Sequence, residues 1–600
     1  PGDTLYGTYC GAPLGASGDP DEVYFQLVGS LTQILEGENL GVKVTTLPIA
    51  SHYSKSKATV ALDPFAGYYG DPIDTVTGAF TQEMTLLSIG GGDTISMDLS
   101  YNSMLAGEKG SCGYGFAHSY EQSIEDRGNS LVLHMTPYSQ TTFLSTDAAE
   151  NKATGTWDGD KVILDDTAAY YGDFLPVTTD MEGYRIEKKE EGYILHMGEE
   201  GGELTFDTEG RIVELKDTDE RTVSLLYGDN TMTVTENVSK ESIYVTYNEE
   251  GFITTVRDDH GRMSALTYDG EGNLSSYTDP MGNTARYEYD PAHRMIKAYD
   301  GEGCAYVSNV YDEQGRVTAQ EEAGKGPAAT LSYEEDGKNT RIAITDHNGN
   351  TTSLTNDGRG NRIEEINGMG SKTTYLYDRQ GNLLDIWEHY HNNTAYEYDE
   401  EKRTTAVYDT AGNVTRYHYD ESGNMTTLTG ADGSMAHYSY DAKGNITKIT
   451  EPSGAVTSYT YDAFSRVVSE SKTDCGTMYY EYDDKGRIAA VTDYNGNRST
   501  LEYDEYGNLS RATDACGGVK TYVYNANGWL ISETDEAGCI TEYTYDRCGR
   551  QLSKTRRDAA GTQVQTSSYT YYESGLLKSE TDPEGGVTTY VYDNEGHILS

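Results

Sequence analysis

The sequence predicts an all-β protein: a long antiparallel β-sheet of 21-residue hairpin repeats coiled into a hollow spiral shell, preceded by an irregular β-rich domain. Three observations predict it. A Tyr-Asp pair returns every 21 residues. Two turn signals about ten residues apart divide each repeat. No segment sustains the 3.6-residue apolar period of a helix.

The period is clearest from Tyr398 through Tyr419, Tyr440, Tyr461, Tyr482, Tyr503 and Tyr524 to Tyr545. Asp follows each of these except Tyr524, where Asn525 stands in, and Gly lies four residues after most of them. Read backwards, the Tyr slot continues at Tyr377, Asn356, Tyr333, Tyr311, Tyr289, Tyr268, Tyr247, Tyr227 and Phe206; forwards, it continues at Tyr571 and Tyr592. A step of 26 after Tyr545 marks a five-residue insertion near Ala559-Ala560-Gly561. A fixed period of this size marks units that pack on their neighbours.

Each repeat reads as two short strands and two tight turns. The first turn is Asp-x-x-Gly after the Tyr, as at Asp420–Gly423; the second is Thr-Asp-x-x-Gly, as at Thr492–Gly496 and Thr534–Gly538. Asp opens a type I turn because its carboxylate accepts backbone N–H groups two residues on, and Gly closes it at positive φ. The structural positions of the array are Tyr377, Asp378, Gly381, Tyr398, Asp399, Tyr419, Asp420, Gly423, Tyr440, Asp441, Gly444, Tyr482, Asp483, Gly486, Tyr503, Asp504, Gly507, Tyr545, Asp546 and Gly549.

Tyr outnumbers Phe by 52 to 9. A dry two-sheet core favours Phe, Leu and Ile, so this imbalance implies a sheet wet on at least one face, with tyrosines stacked across strands. Nineteen Tyr slots give about 38 strands and a ribbon of roughly 180 Å, which as one ring would be on the order of 60 Å across. An open sheet of that length must coil. A β-propeller is the competing arrangement, and its blades need dry apolar faces.

Composition narrows function. A net charge of −53 argues against nucleic acid or an anionic membrane surface as partner. No apolar run reaches transmembrane length. The seven cysteines show no CxxC spacing, which argues against a thiol metal site; Cys516 and Cys539, at corresponding turns of adjacent repeats, are candidates to pair. Residues 1–65 lack the period and read as the tail of an upstream region or a linker. Residues 66–200 read as the irregular β-rich domain, and 201–600 as the array. Pro1 and the unfinished repeat at Ser600 suggest a fragment.

Two upstream motifs stand out: Asp71-Pro72-Ile73-Asp74-Thr75-Val76-Thr77-Gly78-Ala79-Phe80, and Gly113-Tyr114-Gly115-Phe116-Ala117-His118-Ser119-Tyr120. With Tyr101-Asn102-Ser103 and the repeat Tyr-x-Tyr-Asp-x-x-Gly-Asn-aliphatic, the chain closely resembles the RHS or YD-repeat family over roughly residues 66–600. The resemblance implies a spiral shell that encloses a C-terminal toxin domain, exported to the bacterial cell surface or secreted. It implies a processing segment too, with an Asp-Pro-x-Gly-Leu type motif. Asp279-Pro280-Met281-Gly282 and Asp582-Pro583-Glu584-Gly585 fit that shape only as ordinary turns, so processing site and toxin are expected beyond Ser600.

No residue set reads as catalytic, and no cofactor or metal site is expected. Asp258-Asp259 and Glu334-Glu335 are read as solvated turn acids, His118 as a packed or surface residue, and Gly90-Gly91-Gly92 as a loop. The most unusual turn is Trp387-Glu388-His389-Tyr390-His391, which replaces Thr-Asp-x-x-Gly. It makes Trp387, His389 and His391 candidate ligand contacts, set against simple repeat drift. Two functions are carried: a non-enzymatic encapsulating shell of an RHS-type toxin, and a surface adhesin or carbohydrate-binding repeat protein whose partner is a cell-surface glycan.

Overall fold

The computed structural model describes residues 73–600, apart from short segments at 91–94, 129, 137–138, 147–154, 159–160, 165–170, 177–182, 199–200, 219–220, 380 and 389–391. It also describes the backbone of strands Ile34–Gly37 and Leu40–Lys43. Asp71-Pro72 and nearly all of 1–65 therefore lie outside the described residues, as does Gly91-Gly92. One antiparallel sheet of 43 strands dominates.

The sheet starts as a small closed ring. Eight strands pair in succession: Ser123–Asp126, Ser130–Thr136, Ser139–Ser145, Gly172–Pro176, Tyr184–Lys189, Gly192–Met197, Glu203–Phe206 and Ile212–Lys216. A bridge between Ser123 and Arg211, with the Ile124 N–H donating to the Gly210 carbonyl at 2.8 Å, closes it. A ring of this size is just wide enough for side chains to fill. Leu133, Phe143, Phe174, Ile186, Leu195, Leu204, Phe206 and Leu215 fill it completely, each with no exposed surface.

From there the ribbon spirals outward, one hairpin after another. The cause of the curvature is local and periodic. Across the Tyr-Asp turn the pairing slips by one residue, as where His418 pairs Thr427 but Tyr419 pairs Met425, leaving Thr426 unmatched. The same bulge recurs at Tyr268, Tyr289, Tyr440, Tyr461, Tyr503 and Tyr545. Across the Thr-Asp turn at residues 429–435 the pairing holds, with Thr429 opposite Met435 in register with its neighbours, and a slip on that side occurs at Tyr299. An extra residue on one strand bends the sheet and adds twist. A bulge in most repeats, on the strand that follows the Tyr-Asp turn, sums to a coil; the hairpins at Tyr227 and Tyr333 lack it.

The coil repeats on itself every 244 to 248 residues, the separation of contacts that join one turn of the spiral to the next. From Ser242–Tyr247 to Gly476–Tyr482, one turn holds 23 strands. At ~4.8 Å per strand that is a circumference of about 110 Å and a width of roughly 35 Å between backbones, more if the strands tilt. The single ring of 60 Å expected from the strand count is thus wound into a narrower spiral.

Residues 73–121 plug the first turn of the coil. Strands Thr81–Ile89, Ile95–Asn102 and Phe116–His118 form a three-stranded sheet. It presses Met84, Leu86, Leu99, Tyr101 and Phe116 into one apolar core with Leu266, Leu274, Tyr277, Tyr287 and Met295 of the array. Polar bonds tie the plug along the arc: Ile253 N–H to the Ser111 carbonyl, Met295 N–H to the Tyr101 hydroxyl, Val317 N–H to the Gly78 carbonyl, and the Arg362 guanidinium to Thr75 Oγ1. These partners span several consecutive hairpins on one face, so the tyrosine-bearing face is concave.

Candidate functional site

The candidate site is the concave tyrosine face with the turns that hold it. At the Tyr-Asp turn, Asp441 Oδ1 accepts N–H bonds from Lys443 and Asn445 at 2.9 and 3.0 Å, and Oδ2 accepts one from the Asn445 amide at 3.0 Å. Gly444 closes the turn at φ 84°. Asp420–Gly423, Asp378–Gly381, Asp483–Gly486, Asp504–Gly507 and Asp546–Gly549 make the same backbone turn. After Asp399 the slot holds Lys402 at φ 66°, and after Asp462 it holds Ser465 at φ 54°.

Where Arg replaces Asn after the Gly slot, it does two jobs. Arg487 Nε donates to Asp483 Oδ2 at 2.8 Å, and its guanidinium lies 4.5 Å from the centre of the Tyr503 ring. Arg403 joins Asp399 to Tyr419, and Arg466 joins Asp462 to Tyr482, in the same way. Each Arg thereby ties its own turn to the tyrosine of the next repeat.

The tyrosines do more than stack. The hydroxyl of Tyr440 donates to the Met425 carbonyl fifteen residues earlier at 2.7 Å. Tyr398, Tyr419, Tyr461, Tyr482, Tyr503 and Tyr545 do the same to Leu383, Thr404, Ile446, Val467, Ile488 and Leu530. The accepting carbonyl belongs to the residue that opens the bulged strand, so Phe cannot substitute without orphaning it. This accounts for the ratio of Tyr to Phe more directly than cross-strand ladders do. Burial pushes the phenols of Tyr419 and Tyr461 up to about 12.

The face differs along the coil. Against the plug it is dry: Tyr277 and Tyr287 are buried. Further along the coil Tyr417, Tyr419, Tyr438 and Tyr440 stay half-exposed. The wet face expected from composition is therefore found beyond the stretch that the plug covers and not beneath the plug. An open groove of about 690 Å³ lies where the two turns meet, lined by Cys304, Trp529, Tyr543, Tyr545, Arg550 and Tyr571 among others.

Trp387 stands on strand Leu383–Glu388, paired with Thr374 and Asn393, and is 49% exposed. Its neighbour Ile386 pairs Tyr375 on the concave face, so Trp387 points outward. His389 and His391 lie outside the described residues. Asp279–Gly282 and Asp582–Gly585 are turns, with Gly N–H to Asp carbonyl distances of 2.9 and 3.0 Å. His118 is buried, its Nδ1 accepting from the Tyr120 N–H, and burial lowers its pKa. Cys516 and Cys539 are free thiols, so the pairing considered from their corresponding turns does not form. Among the described residues no cluster of His, Cys, Asp and Glu has metal-site geometry, and no helix is long and apolar enough to cross a membrane.

The RHS Repeat family matches residues 268–303, 398–435 and 571–600, and the Teneurin YD-shell family matches 436–566. Residues 70–143, which contain the whole plug, match a domain of unknown function, DUF6531. The array is built of RHS/YD repeats. Members of the matched families thus account for the plug and the array separately. Among solved structures, TcdB2-TccC3-TEV is 14% identical over 87% of this chain and 40% of its own, with a TM-score of 0.44. The Tc holotoxin pore of Photorhabdus luminescens carrying TccC3-D651A is 13% identical over 85% of this chain and 29% of its own, with a TM-score of 0.42. The RHS chain described here thus spans well under half of either. No curated protein sequence matches it.

Sequence reasoning missed the seam between turns of the coil. Its residues sit at the third place of the Tyr-Asp turn, which varies in sequence from repeat to repeat. A period search reads such a position as noise.

Proposed function

We propose that this RHS-repeat chain is the non-enzymatic wall of an encapsulating shell of an exported RHS-type toxin, which encloses a C-terminal cargo for delivery. The observation that carries this reading is the contrast along the concave face. Residues 73–121 stopper the stretch of the coil from about residue 253 to 362, and the stretch that follows presents half-exposed tyrosines. A wall closed at one end and wetted inside is built to hold something.

The width limits the cargo. A compact domain of ~100 residues has a radius of gyration near 13 Å, so it spans roughly the full 35 Å before the inward tyrosines are counted. A smaller or extended chain fits; the folded domain that a 60 Å ring would admit does not. The test is protease protection. A 60-residue unstructured reporter fused after Ser600 should be cut at least tenfold more slowly than the same reporter on an unrelated carrier, and cleavage at equal rates would refute enclosure. Among the described residues no aromatic ring stacks on the outward-facing Trp387, which leaves the glycan-binding alternative without a ring cage there.

A further inference from the structure

We propose that the third residue of each Tyr-Asp turn is the residue that seats one turn of the coil on the next, and that its pairing with the Thr-Asp turn beneath sets the register of the spiral. Six consecutive repeats show the contact, each with different chemistry. Lys485 forms an ion pair with Glu241. The Tyr506 ring lies 4.7 Å from the Arg262 guanidinium and edge-on to His260. Asn527 Nδ2 donates to Asp279 Oδ2 at 2.7 Å, while its Oδ1 accepts the Met281 N–H at 3.2 Å. Cys548 is buried, with Arg547 beside it donating its N–H to Glu302 at 2.9 Å. Ser574 lies against Gly324, where an added Cβ would meet its side chain at 2.5 Å. Glu595 accepts the His347 N–H.

Exposure supports the assignment independently. The third residues Lys485, Tyr506, Asn527, Cys548, Ser574 and Glu595 are all buried or half-buried. Their equivalents earlier in the array, Glu401, Ser422 and Lys443, are exposed, as are the third residues Asn495 and Cys516 of Thr-Asp turns. The two turn classes thus occupy opposite edges of the ribbon. The Tyr-Asp edge of one turn of the coil reads the Thr-Asp edge of the turn before it. Because the six pairs differ, a slip by one repeat would set Asn527 against His260 and Lys485 against no carboxylate of Glu241. The seam therefore carries partner-specific information, as the strand ladder does not.

The test is a swap of partners in the full chain, read by hydrogen exchange of the turns at 279–283 and 525–529. Asn527→Asp sets a carboxylate against Asp279, and should speed exchange in both turns about tenfold, the loss of one charge-assisted bond. Adding Asp279→Asn to it should restore the protection, because the new amide donates one hydrogen to the new carboxylate and the other to Asn283 Oδ1 once that amide, which in the native chain donates to Asp279 Oδ2, turns over. Lys485→Glu should open the turns at 237–241 and 483–487, with Glu241→Lys as its rescue. Asn495→Asp, on the uncovered edge, should change nothing. If any single variant fails to fold, Asn527→Ser removes the bond without adding charge and should show the same paired loss. Single variants without effect, or double variants no better protected than the singles, would overturn the proposal.

Discussion

Replacing Gly423 by Val tests the turn that bends most repeats. Gly423 has φ 84°, a region costly for residues with a Cβ. An added Cβ would meet nothing closer than Arg403 Nη1 at 3.6 Å, so the cost is conformational and not a clash. Lys402, Ser465 and His293 occupy the equivalent slot at φ 54–66°, which shows that a side chain is tolerated there. The penalty is about 1–2 kcal/mol, with β-branched Val at the upper end. That is roughly a 5- to 30-fold increase in local opening. Coupling in a repeat array runs between neighbours, so exchange should accelerate from about residue 400 to 445 and leave the hairpins beyond 480 untouched. Hydrogen exchange with peptide-level resolution reads this directly. Uniform acceleration along the array, or none at residues 420–424, would refute the reasoning.

The converse change, Lys402→Gly, relieves the same strain at φ 66° and should slow exchange around residues 398–404 by a factor of about five, from roughly 1 kcal/mol. Tyr440→Phe orphans the Met425 carbonyl and should cost about 1 kcal/mol locally, visible as faster exchange at the Asp441 turn and its neighbours; an unchanged profile would deny the hydroxyl its role. At high pH the buried phenols govern. The pKa values of Tyr419 and Tyr461 are raised to about 12, against about 10 unfolded, so their contribution is complete below pH 10 and lost as pH climbs to about 12. Tyrosinate absorbance and loss of β-sheet circular dichroism should rise together in that window. At low pH the sign reverses: amide and backbone bonds hold the Asp409 and Asp493 carboxyls below their ordinary value, so turn stability is present above about pH 4 and falls away below it, as acid unfolding followed by circular dichroism should show.

Much of this fold is legible in the chain because its signals are local and repeated. Asp420 and Gly423 announce a turn by chemistry alone, and the recurrence of Tyr at one slot announces that the turns are in register. The coil's width is not legible. It depends on Thr426 and its equivalents being left unmatched in the pairing, a property of two strands together that no single strand displays. The strand count gave the length of the ribbon but not how tightly the bulges wind it. The role of Tyr101 and Phe116 as parts of a plug is likewise hidden, since their partners Met295 and Tyr287 lie far along the chain. Nor does spacing alone mark Lys485, Asn527 or Glu595, whose partners differ from repeat to repeat.

Zero-length coupling of amines to carboxylates, followed by mass spectrometry, tests the spiral most directly. The wound coil predicts a Lys485–Glu241 product, whose partners are 244 residues apart and in direct contact. It predicts that this product survives dilution, as an intramolecular bond must. Coupling confined to groups within neighbouring hairpins, with no product joining residues 236–241 to 483–487, would contradict the spiral and favour an uncoiled ribbon or separate blades.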